Sequence, residues 1–486
     1  MSKAARNRAA YNEKQQAKRE REELAAKNAK IRKVTAIVTV SVIAALIVAF
    51  IVGICVYNIR MNSGDYLRKE TAASSNNIDV DGAMMNYYYN DVLNSFVAYY
   101  GSYVQYYGFD PSADPKYQTF SDGQTWFDYF MSGAKTNVTG YLALNEGAMA
   151  EGISLTDAEK SALETRVSNI DAALYGRGVK KNDILNAKLI EALAYKYQAA
   201  KQAGFTPTSS EIAARYKESP EKFQSVDYIA YTFDWSGEKM TQSAAKIAAA
   251  RLSDAKSVDG FKSVVAELYR SDSPDLTDEQ IETAISNITT TGASYTDGSE
   301  LSEWAFSAKV GDTKVIEDES KSTTTAYILT KAANRDESAT VNVRHILFTA
   351  DKYGSTEKAK AQAEKVLAEF NSGDKSIESF SNLVLAYTED ENTCYNGGLY
   401  QNLASGLTLT NFDEWCFFGT RQPGDCEIIE TTHGIHIVYF ESKGLVNWEA
   451  SVADAIISEK FTELDKKLLE DYPVSFDDIL IAEIPG

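Results

Sequence analysis

The chain reads Val341-Asn-Val-Arg-His-Ile-Leu-Phe348 and, nearer its end, Thr432-His-Gly-Ile-His-Ile-Val-Tyr-Phe440. In both short stretches apolar residues alternate with other residues, a pattern that is typical of buried strands. All three histidines of the protein lie here: His345 in the first stretch, His433 and His436 in the second. Because the rest of the chain has no histidine, the clustering indicates a site between these strands.

The residues between the two strands predict a simple order of elements. Two amphipathic helical patterns come first, and the second ends before Tyr387-Thr-Glu-Asp390. A turn-rich Asn396-Gly-Gly-Leu399, an aromatic run from Phe412 to Phe417 and a turn at Pro423-Gly-Asp425 follow. The order of strand, two helices, loop, short helix and strands predicts an α+β domain.

The ordered set of motifs resembles the parvulin family of peptidyl-prolyl cis/trans isomerases over nearly one whole domain. The matching pieces are Arg344-His345-Ile-Leu, Tyr387-Thr-Glu-Asp390, Gly397-Gly-Leu399, Phe412 with Phe417, Pro423-Gly-Asp and Gly434-Ile-His436-Ile. The resemblance implies an isomerase domain at residues 338–446, with an antiparallel sheet, surrounding helices, and no metal or cofactor.

Prolyl isomerisation needs an apolar pocket for the proline ring and polar groups that favour the twisted amide over either planar form. The resemblance implies that four residues bind the substrate: Leu399, Thr408, Phe412 and Phe417. It implies that four others are catalytic: His345, Asp390, Thr431 and His436. The two histidines are expected to share a hydrogen bond that fixes their tautomers, and to orient the site rather than transfer protons.

Two departures from the family pattern affect the expected strength of catalysis. Thr408 stands where a Met commonly completes the proline pocket, and Leu407 or Leu409 substitutes if the register slips. The usual Asp after Gly397-Gly398 is absent. Cys394 is an alternative to Asp390 for the acidic position.

Other interpretations of these residues remain open. Two histidines in buried strands can be core residues whose hydrogen bonds are all formed and which take no part in catalysis. A disulfide between Cys416 and Cys426 is conceivable in an oxidising exterior. Zinc is disfavoured, because neither Cys-x-x-Cys nor His-x-x-x-His spacing occurs.

Charge divides the chain into two unequal parts. Residues 1–33 carry eleven Lys/Arg and four Asp/Glu, so their net charge is +7, against −20 for the whole protein. Residues 34–57 follow without a charge, long enough for one transmembrane helix. The positive-inside rule places the basic segment in the cytoplasm and the acidic remainder outside. A cleaved signal peptide is the alternative, but the apolar core is long and lacks a small-x-small cleavage pattern.

The basic segment suits contact with anionic lipid headgroups, and nucleic-acid binding is not expected beside a membrane span and an acidic exterior. A bulky Ile54 precedes Cys55, which argues against lipid attachment at that cysteine.

Residues 62–225 are expected to form a helical, chaperone-like domain that is unusually rich in tyrosine. Tyr87, Tyr88 and Tyr89 are consecutive, and more tyrosines follow from Tyr99 to Tyr107. One interpretation is an amphipathic core with tyrosines at its rim. The other is a cradle for unfolded chains, since tyrosine offers apolar area with a polar edge.

The chain contains an internal repeat. The stretch from Val226 to Phe233 matches the length and pattern of the strand at residues 341–348, with Ala230 in place of His345. Further matches place Tyr327 at the position of His436. Residues 226–335 are therefore predicted to be a degenerate parvulin-like domain without a catalytic site, because packing and reactive residues are different sets.

Residues 447–486 predict a C-terminal helical segment, which by resemblance to extracytoplasmic foldases is expected to return to the helical domain. The predicted function is isomerisation and chaperoning of unfolded or proline-containing secreted polypeptides. A holdase without meaningful catalysis and a scaffold for one membrane partner are the alternatives, and a homodimer is left open.

Overall fold

The computed structural model describes residues 3–485, apart from some side chains in its first helix. Helix α1 (Lys3–Ser63) contains Val38–Ile59, the one helical stretch among the described residues that is long and apolar enough to cross a membrane. The side chains of Val38–Ile59 are not buried and do not contribute to a hydrophobic core. The predicted span at residues 34–57 therefore lies on one continuous helix.

A helical region follows, built on α2 (Gly82–Tyr100), α3 (Trp126–Ala150), α4 (Asp157–Ser168), α5 (Lys181–Phe205) and α6 (Ser209–Glu218). It also holds the short strands β1 (Thr71–Ser74), β2 (Asp79–Asp81), β3 (Thr119–Ser121) and β4 (Gln124–Thr125). Helix α4 begins at a capping box, in which the Thr156 hydroxyl accepts from the Glu159 N–H and the Glu159 carboxylate accepts from the Thr156 N–H.

The tyrosines of this region divide between core and surface. Tyr87, Tyr88 and Tyr89 are buried beside Phe130 and Trp126 in the largest apolar core. Tyr99, Tyr103 and Tyr106 are 82%, 66% and 86% exposed. The first group therefore serves packing, whereas the second is free to contact another molecule.

Two four-stranded antiparallel sheets come next, and their strand orders correspond. When the strands of each sheet are numbered along the chain, both sheets have the order second, first, fourth, third. The first sheet and its helices comprise β5 (Ser225–Asp234), α7 (Gln242–Ser253), α8 (Val258–Asp272), α9 (Asp278–Asn287), β6 (Thr289–Ser294), α10 (Glu300–Ala305), β7 (Thr313–Asp318) and β8 (Thr323–Asn334).

The second sheet and its helices repeat this plan. They comprise β9 (Ala339–Phe348), α11 (Ala350–Tyr353), α12 (Thr356–Ser372), α13 (Ile377–Tyr387), β10 (Leu399–Ala404), α14 (Thr410–Phe417), β11 (Cys426–Thr431) and β12 (Gly434–Val446). A loop at residues 388–398, called the 388–398 loop below, stands where the first copy has α9.

Strand alternation sends the two faces of the second sheet to different cores. Ile346 and Ile437 face α12 and α13 together with Phe380. Val343 and Val438 face the other way, toward Phe412 on α14. His345 lies two residues after Val343, and His436 lies two residues before Val438. Both histidines therefore project on the α14 face.

The pairing register corrects one correspondence in the repeat. The Gly311 N–H donates to the Leu329 carbonyl just as the Gly424 N–H donates to the Phe440 carbonyl. Leu329 therefore corresponds to Phe440, and the residue four positions earlier, Thr325, corresponds to His436. Tyr327, which we predicted there, instead matches Val438.

The C-terminal segment returns to the helical region. Helix α15 (Asn447–Asp471) packs on α3, α5 and α6, strand β13 (Ser475–Phe476) pairs with β1, and α16 (Asp478–Glu483) adds Leu480 and Ile481 to the large core. The first and last parts of the region outside α1 are thus one packed body.

Candidate active site

A cavity of about 350 Å³ opens on the α14 face of the second sheet. The two histidines of β9 and β12 form its floor, and Phe412 of α14 forms an apolar wall. The remaining lining comes from Tyr400, Gly406, Leu407, Thr408, Leu409, Thr431 and His433. Apolar groups thus face polar ones across a space large enough for a proline ring.

The two histidines are linked through their Nδ1 atoms, which lie 3.2 Å apart. The outer nitrogens have partners as well: His345 Nε2 lies 2.8 Å from Asp390 Oδ2, and His436 Nε2 lies 2.9 Å from Thr431 Oγ1. Four side chains therefore form one continuous hydrogen-bonded chain.

The carboxylate decides the direction of that chain. Asp390 can only accept, so His345 Nε2 must carry a proton and, in the neutral ring, His345 Nδ1 is an acceptor. His436 Nδ1–H then donates to His345, and the Thr431 hydroxyl donates to His436 Nε2. We assign these tautomers from the hydrogen-bond network. The arrangement leaves neither ring free to rotate without losing a bond.

Burial and the network set the charges of the site. Burial lowers the pKa of His436 to about 3, and repulsion from His345 acts in the same direction. Burial alone would raise the pKa of Asp390, but hydrogen bonds from His345 and Thr393 outweigh it and hold that pKa at about 2. Burial, with a contribution from Asp390, raises the pKa of Tyr400 to about 12. At neutral pH the site therefore holds an ionised carboxylate, a neutral His436 and a neutral tyrosine.

Two glycines bring the 388–398 loop against the histidine strand. Gly397 and Gly398 have φ of 73° and 74°, a conformation that side chains disfavour. A Cβ on Gly398 would lie 2.3 Å from the backbone oxygen of His345. The Gly398 carbonyl also accepts from the His345 N–H at 2.9 Å. The Gly-Gly pair is thus a requirement of close backbone approach.

A family model described as a PPIC-type PPIase domain matches residues 327–443. The match begins in β8 and ends in β12, so it covers β9, β10, β11, most of β12 and the cavity. The chain carries a parvulin-type peptidyl-prolyl isomerase domain.

Solved structures with likeness to the chain include two bacterial foldases and one chaperone. PrsA from Bacillus subtilis is 14% identical, covers 60% of this chain and 88% of its own, and has a TM-score of 0.19. The foldase protein PrsA from Streptococcus pneumoniae is 16% identical, with 57% and 96% covered and a TM-score of 0.21. A SurA-like chaperone from Campylobacter jejuni is 18% identical, with 28% and 53% covered and a TM-score of 0.19. This chain thus spans about half the length of the Campylobacter protein. No curated protein matches the sequence.

The isomerase domain brings most of the predicted site residues together. His345, His436, Thr431, Thr408 and Phe412 all line the cavity. Asp390 does not line the cavity, and its carboxylate lies behind the ring of His345. It contacts the site through His345 and, at 3.4 Å, by accepting from the hydroxyl of Tyr400.

Two predicted pocket residues, Leu399 and Phe417, do not line the cavity. Neighbouring residues of a strand point to opposite faces, and Tyr400 rather than Leu399 faces His345, with ring centroids 4.7 Å apart. Phe417 lies five positions after Phe412 on α14, which turns its side chain about 140° away. Tyr400 was missed because the strand's parity after two glycines is not visible in the sequence.

The cysteines lie apart from the site. Cys394 is a buried residue of the 388–398 loop, burial raises the pKa of its thiol to about 12, and it does not line the cavity, so it does not replace Asp390. Cys416 and Cys426 are both free. Cys416 packs on the α14 face of the sheet and Cys426 on the opposite face, which separates the two thiols whose pairing the sequence had left open. Among the described residues, no cluster of His, Cys, Asp and Glu has the makings of a metal site.

The corresponding position of the first sheet lacks this chemistry. Ala230 stands at the place of His345 and Thr325 at the place of His436. The Thr325 hydroxyl lies 2.9 Å from that of Thr232, so a short hydroxyl pair replaces the histidine chain.

Proposed function

We propose that the chain is a membrane-anchored foldase that isomerises X-Pro bonds in unfolded secreted polypeptides outside the cytoplasmic membrane. The observation that carries the proposal is the His345–His436 pair, held by Asp390 and Thr431 beneath an apolar cavity in an isomerase domain. Uncatalysed X-Pro isomerisation takes about 10–100 s, so a nascent secreted chain would profit from such a site.

In this proposal the proline ring lies against Phe412, Leu409 and Thr408, and the amide lies over the histidine floor. Twisting the amide removes its resonance and leaves its carbonyl and nitrogen with altered demand for hydrogen bonds. Polar groups that are already fixed in the cavity meet that demand without reorganising. His345, His436 and Thr431 supply these groups, and Asp390 orients His345.

The proposed division of the chain follows the two sheets and the returning C-terminus. Residues 1–33 are the cytoplasmic segment, 34–57 the membrane anchor and 62–225 a chaperone-like helical domain. Residues 226–335 are an inactive copy, 338–446 the isomerase and 447–486 the segment that joins the helical domain. The basic flank before the anchor supports an extracytoplasmic position of everything after it.

The test uses the full chain in detergent micelles and a short X-Pro peptide, with exchange between isomers followed by NMR. We expect turnover above background, and a fall of about tenfold or more in Phe412→Ala and His436→Ala. Thr325→Ala changes the matched position of the first sheet and should leave the rate unchanged. A parent rate equal to background, with the fold intact, would rule out the isomerase.

A holdase without turnover is the second candidate, favoured by the exposed Tyr99, Tyr103 and Tyr106. Such a protein would suppress aggregation of an unfolded client without measurable peptide turnover. Replacing the three tyrosines by serine should then weaken the suppression. Equal suppression by the serine variant would argue against this surface.

A further inference from the structure

The 388–398 loop carries Asp390, yet Thr388, Glu391 and Tyr395 of this loop contact the helical region. Its first residue, Thr388, is buried, and the Thr388 hydroxyl accepts from the N–H groups of Leu347 and Asp390 at 3.1 and 3.2 Å. One residue thus ties the aspartate's backbone to the histidine strand. The Thr388 N–H donates to the Val384 carbonyl at the end of α13, whereas the Thr388 carbonyl points toward the helical region.

That carbonyl accepts a hydrogen bond of 2.7 Å from Nη1 of Arg166, near the end of α4. The second guanidinium nitrogen, Nη2, lies 2.7 Å from the carboxylate of Glu391. Arg166 is only 8% exposed, whereas the Glu391 side chain is 70% exposed. The ion pair is therefore open to solvent on one side, and the bond to Thr388 is the buried, specific contact.

The far part of the loop is also held by the helical region. Tyr395 stacks on Tyr195 of α5 with centroids 4.8 Å apart and an interplanar angle of 4°. The Tyr395 hydroxyl donates to Oε2 of Glu191 at 2.6 Å, and Lys188 Nζ lies 2.9 Å from the same carboxylate oxygen. Helices α4 and α5 thus grip the loop on both sides of the aspartate.

We infer that Arg166 is a positioning residue for the isomerase site: it holds Thr388, and through it the Asp390 carboxylate, against His345. The helical region is then part of the catalytic apparatus as well as a surface for clients. None of the residues in the 388–398 loop lines the cavity. Loss of the Arg166 contact should therefore lower kcat about tenfold through the histidine chain and leave KM for a short peptide nearly unchanged.

This inference rests on the proposed isomerase, so its test includes a readout that does not need turnover. The full chain, labelled with ¹⁵N-histidine, has only three histidines, and His433→Gln identifies the exposed one. The Nε2–H signal of His345 reports its hydrogen bond to Asp390, and Asp390→Asn shows how the signal changes when that bond is altered. Arg166→Met should move or broaden the same signal.

Three variants and one control grade the effect. Arg166→Met loses both contacts, Arg166→Lys keeps the charge and one donor, and Glu391→Gln keeps the bond to Thr388. We expect kcat to fall in Arg166→Met, to recover partly in Arg166→Lys and to stay near the parent value in Glu391→Gln. Arg215→Met breaks an ion pair between α6 and Glu459 of α15 and serves as the control away from the loop.

The outcomes separate the proposals. A parent without turnover whose His345 signal still shifts in the Arg166 variants would overturn the isomerase and keep the positioning role. Folded Arg166→Met with parent kcat and an unchanged His345 signal would overturn the positioning role. If Arg166→Met does not fold, Arg166→Lys decides: parent kcat together with a parent histidine signal would likewise refute the inference.

Discussion

The buried His436 makes a quantitative prediction about acid stability. The folded state holds its pKa at about 3, whereas a histidine in an unfolded chain titrates near 6.5. Between these values the unfolded state binds a proton that the folded state refuses, so the stabilising contribution is complete above about pH 6.5 and is lost as the pH falls. At pH 5, which lies about 1.5 units below the unfolded-state pKa, the loss of unfolding free energy is about 2 kcal/mol.

The variant His436→Gln removes this titration. We expect the parent to lose about 2 kcal/mol more than the variant in unfolding free energy of the second sheet between pH 7 and pH 5. Asp390 does not enter this window, because its pKa is depressed from 3.8 to about 2 and its contribution is lost only below about pH 4. The difference between the two pH values cancels any constant cost of the substitution.

The measurement is proteolysis at graded urea concentrations, with peptides from residues 339–446 quantified by mass spectrometry. This local readout is needed because a chain of several domains has no single unfolding free energy. His433→Gln removes an exposed histidine whose repulsion lowers the pKa of His436 less than burial does, so it should keep most of the parent's pH dependence. Parallel loss of stability in the parent and in His436→Gln would refute the assignment of a neutral, buried His436.

Two further predictions concern the cavity and the helical core. Tyr400→Ala should lower isomerase turnover about tenfold, since it removes the ring stacked on His345, whereas Leu399→Ala on the opposite face should leave peptide turnover nearly unchanged; equal effects would contradict the strand register. Burial raises the pKa of Asp91 to about 6, so its ionisation costs stability that is absent below about pH 4 and grows as the pH rises through 6. Asp91→Asn should therefore raise the unfolding free energy of the helical region by up to about 3 kcal/mol at pH 8, seen as a higher urea midpoint. At pH 3.5 it should have no such effect. A variant equally stabilised at both pH values would show that burial of the charge is not the cause.

The part of the site on β9 and β12 was predictable from the sequence because strand alternation is local. Val343 and His345 share a face, as do His436 and Val438, and the apolar partners identify that face as buried. The clustering of the two histidines on neighbouring strands followed from the pattern, whereas their shared hydrogen bond was implied by the family resemblance. The same logic predicted the first sheet, where Tyr231 and Ala326 stand at the positions of Ile346 and Ile437 and pack in the corresponding core.

The errors arose where the sequence does not show which residues of a strand face the core, or where the contacting residues are far apart along the chain. A slip of one residue changes the face, as with Leu399 and Tyr400, and positive-φ glycines before the strand hide which parity is used. A slip of two residues keeps the face, so the hydrophobic pattern could not distinguish Tyr327 from Thr325. The contact between Arg166 and Thr388 spans 222 residues and follows no period.

The two sheets differ in what surrounds them as much as in their histidines. In the second copy, α13 packs against α4, and the following loop is gripped by Arg166 and Tyr195. In the first copy, the corresponding helix α8 packs on α7, α9 and β8, and α9 replaces the loop. A catalytic chain of hydrogen bonds needs its outermost member, Asp390, fixed as firmly as its histidines, because each bond depends on the orientation of the next. The copy that keeps the histidines is the one whose aspartate loop is clamped by a second part of the chain, which is the physical reason to expect activity and helical-region docking to be lost together.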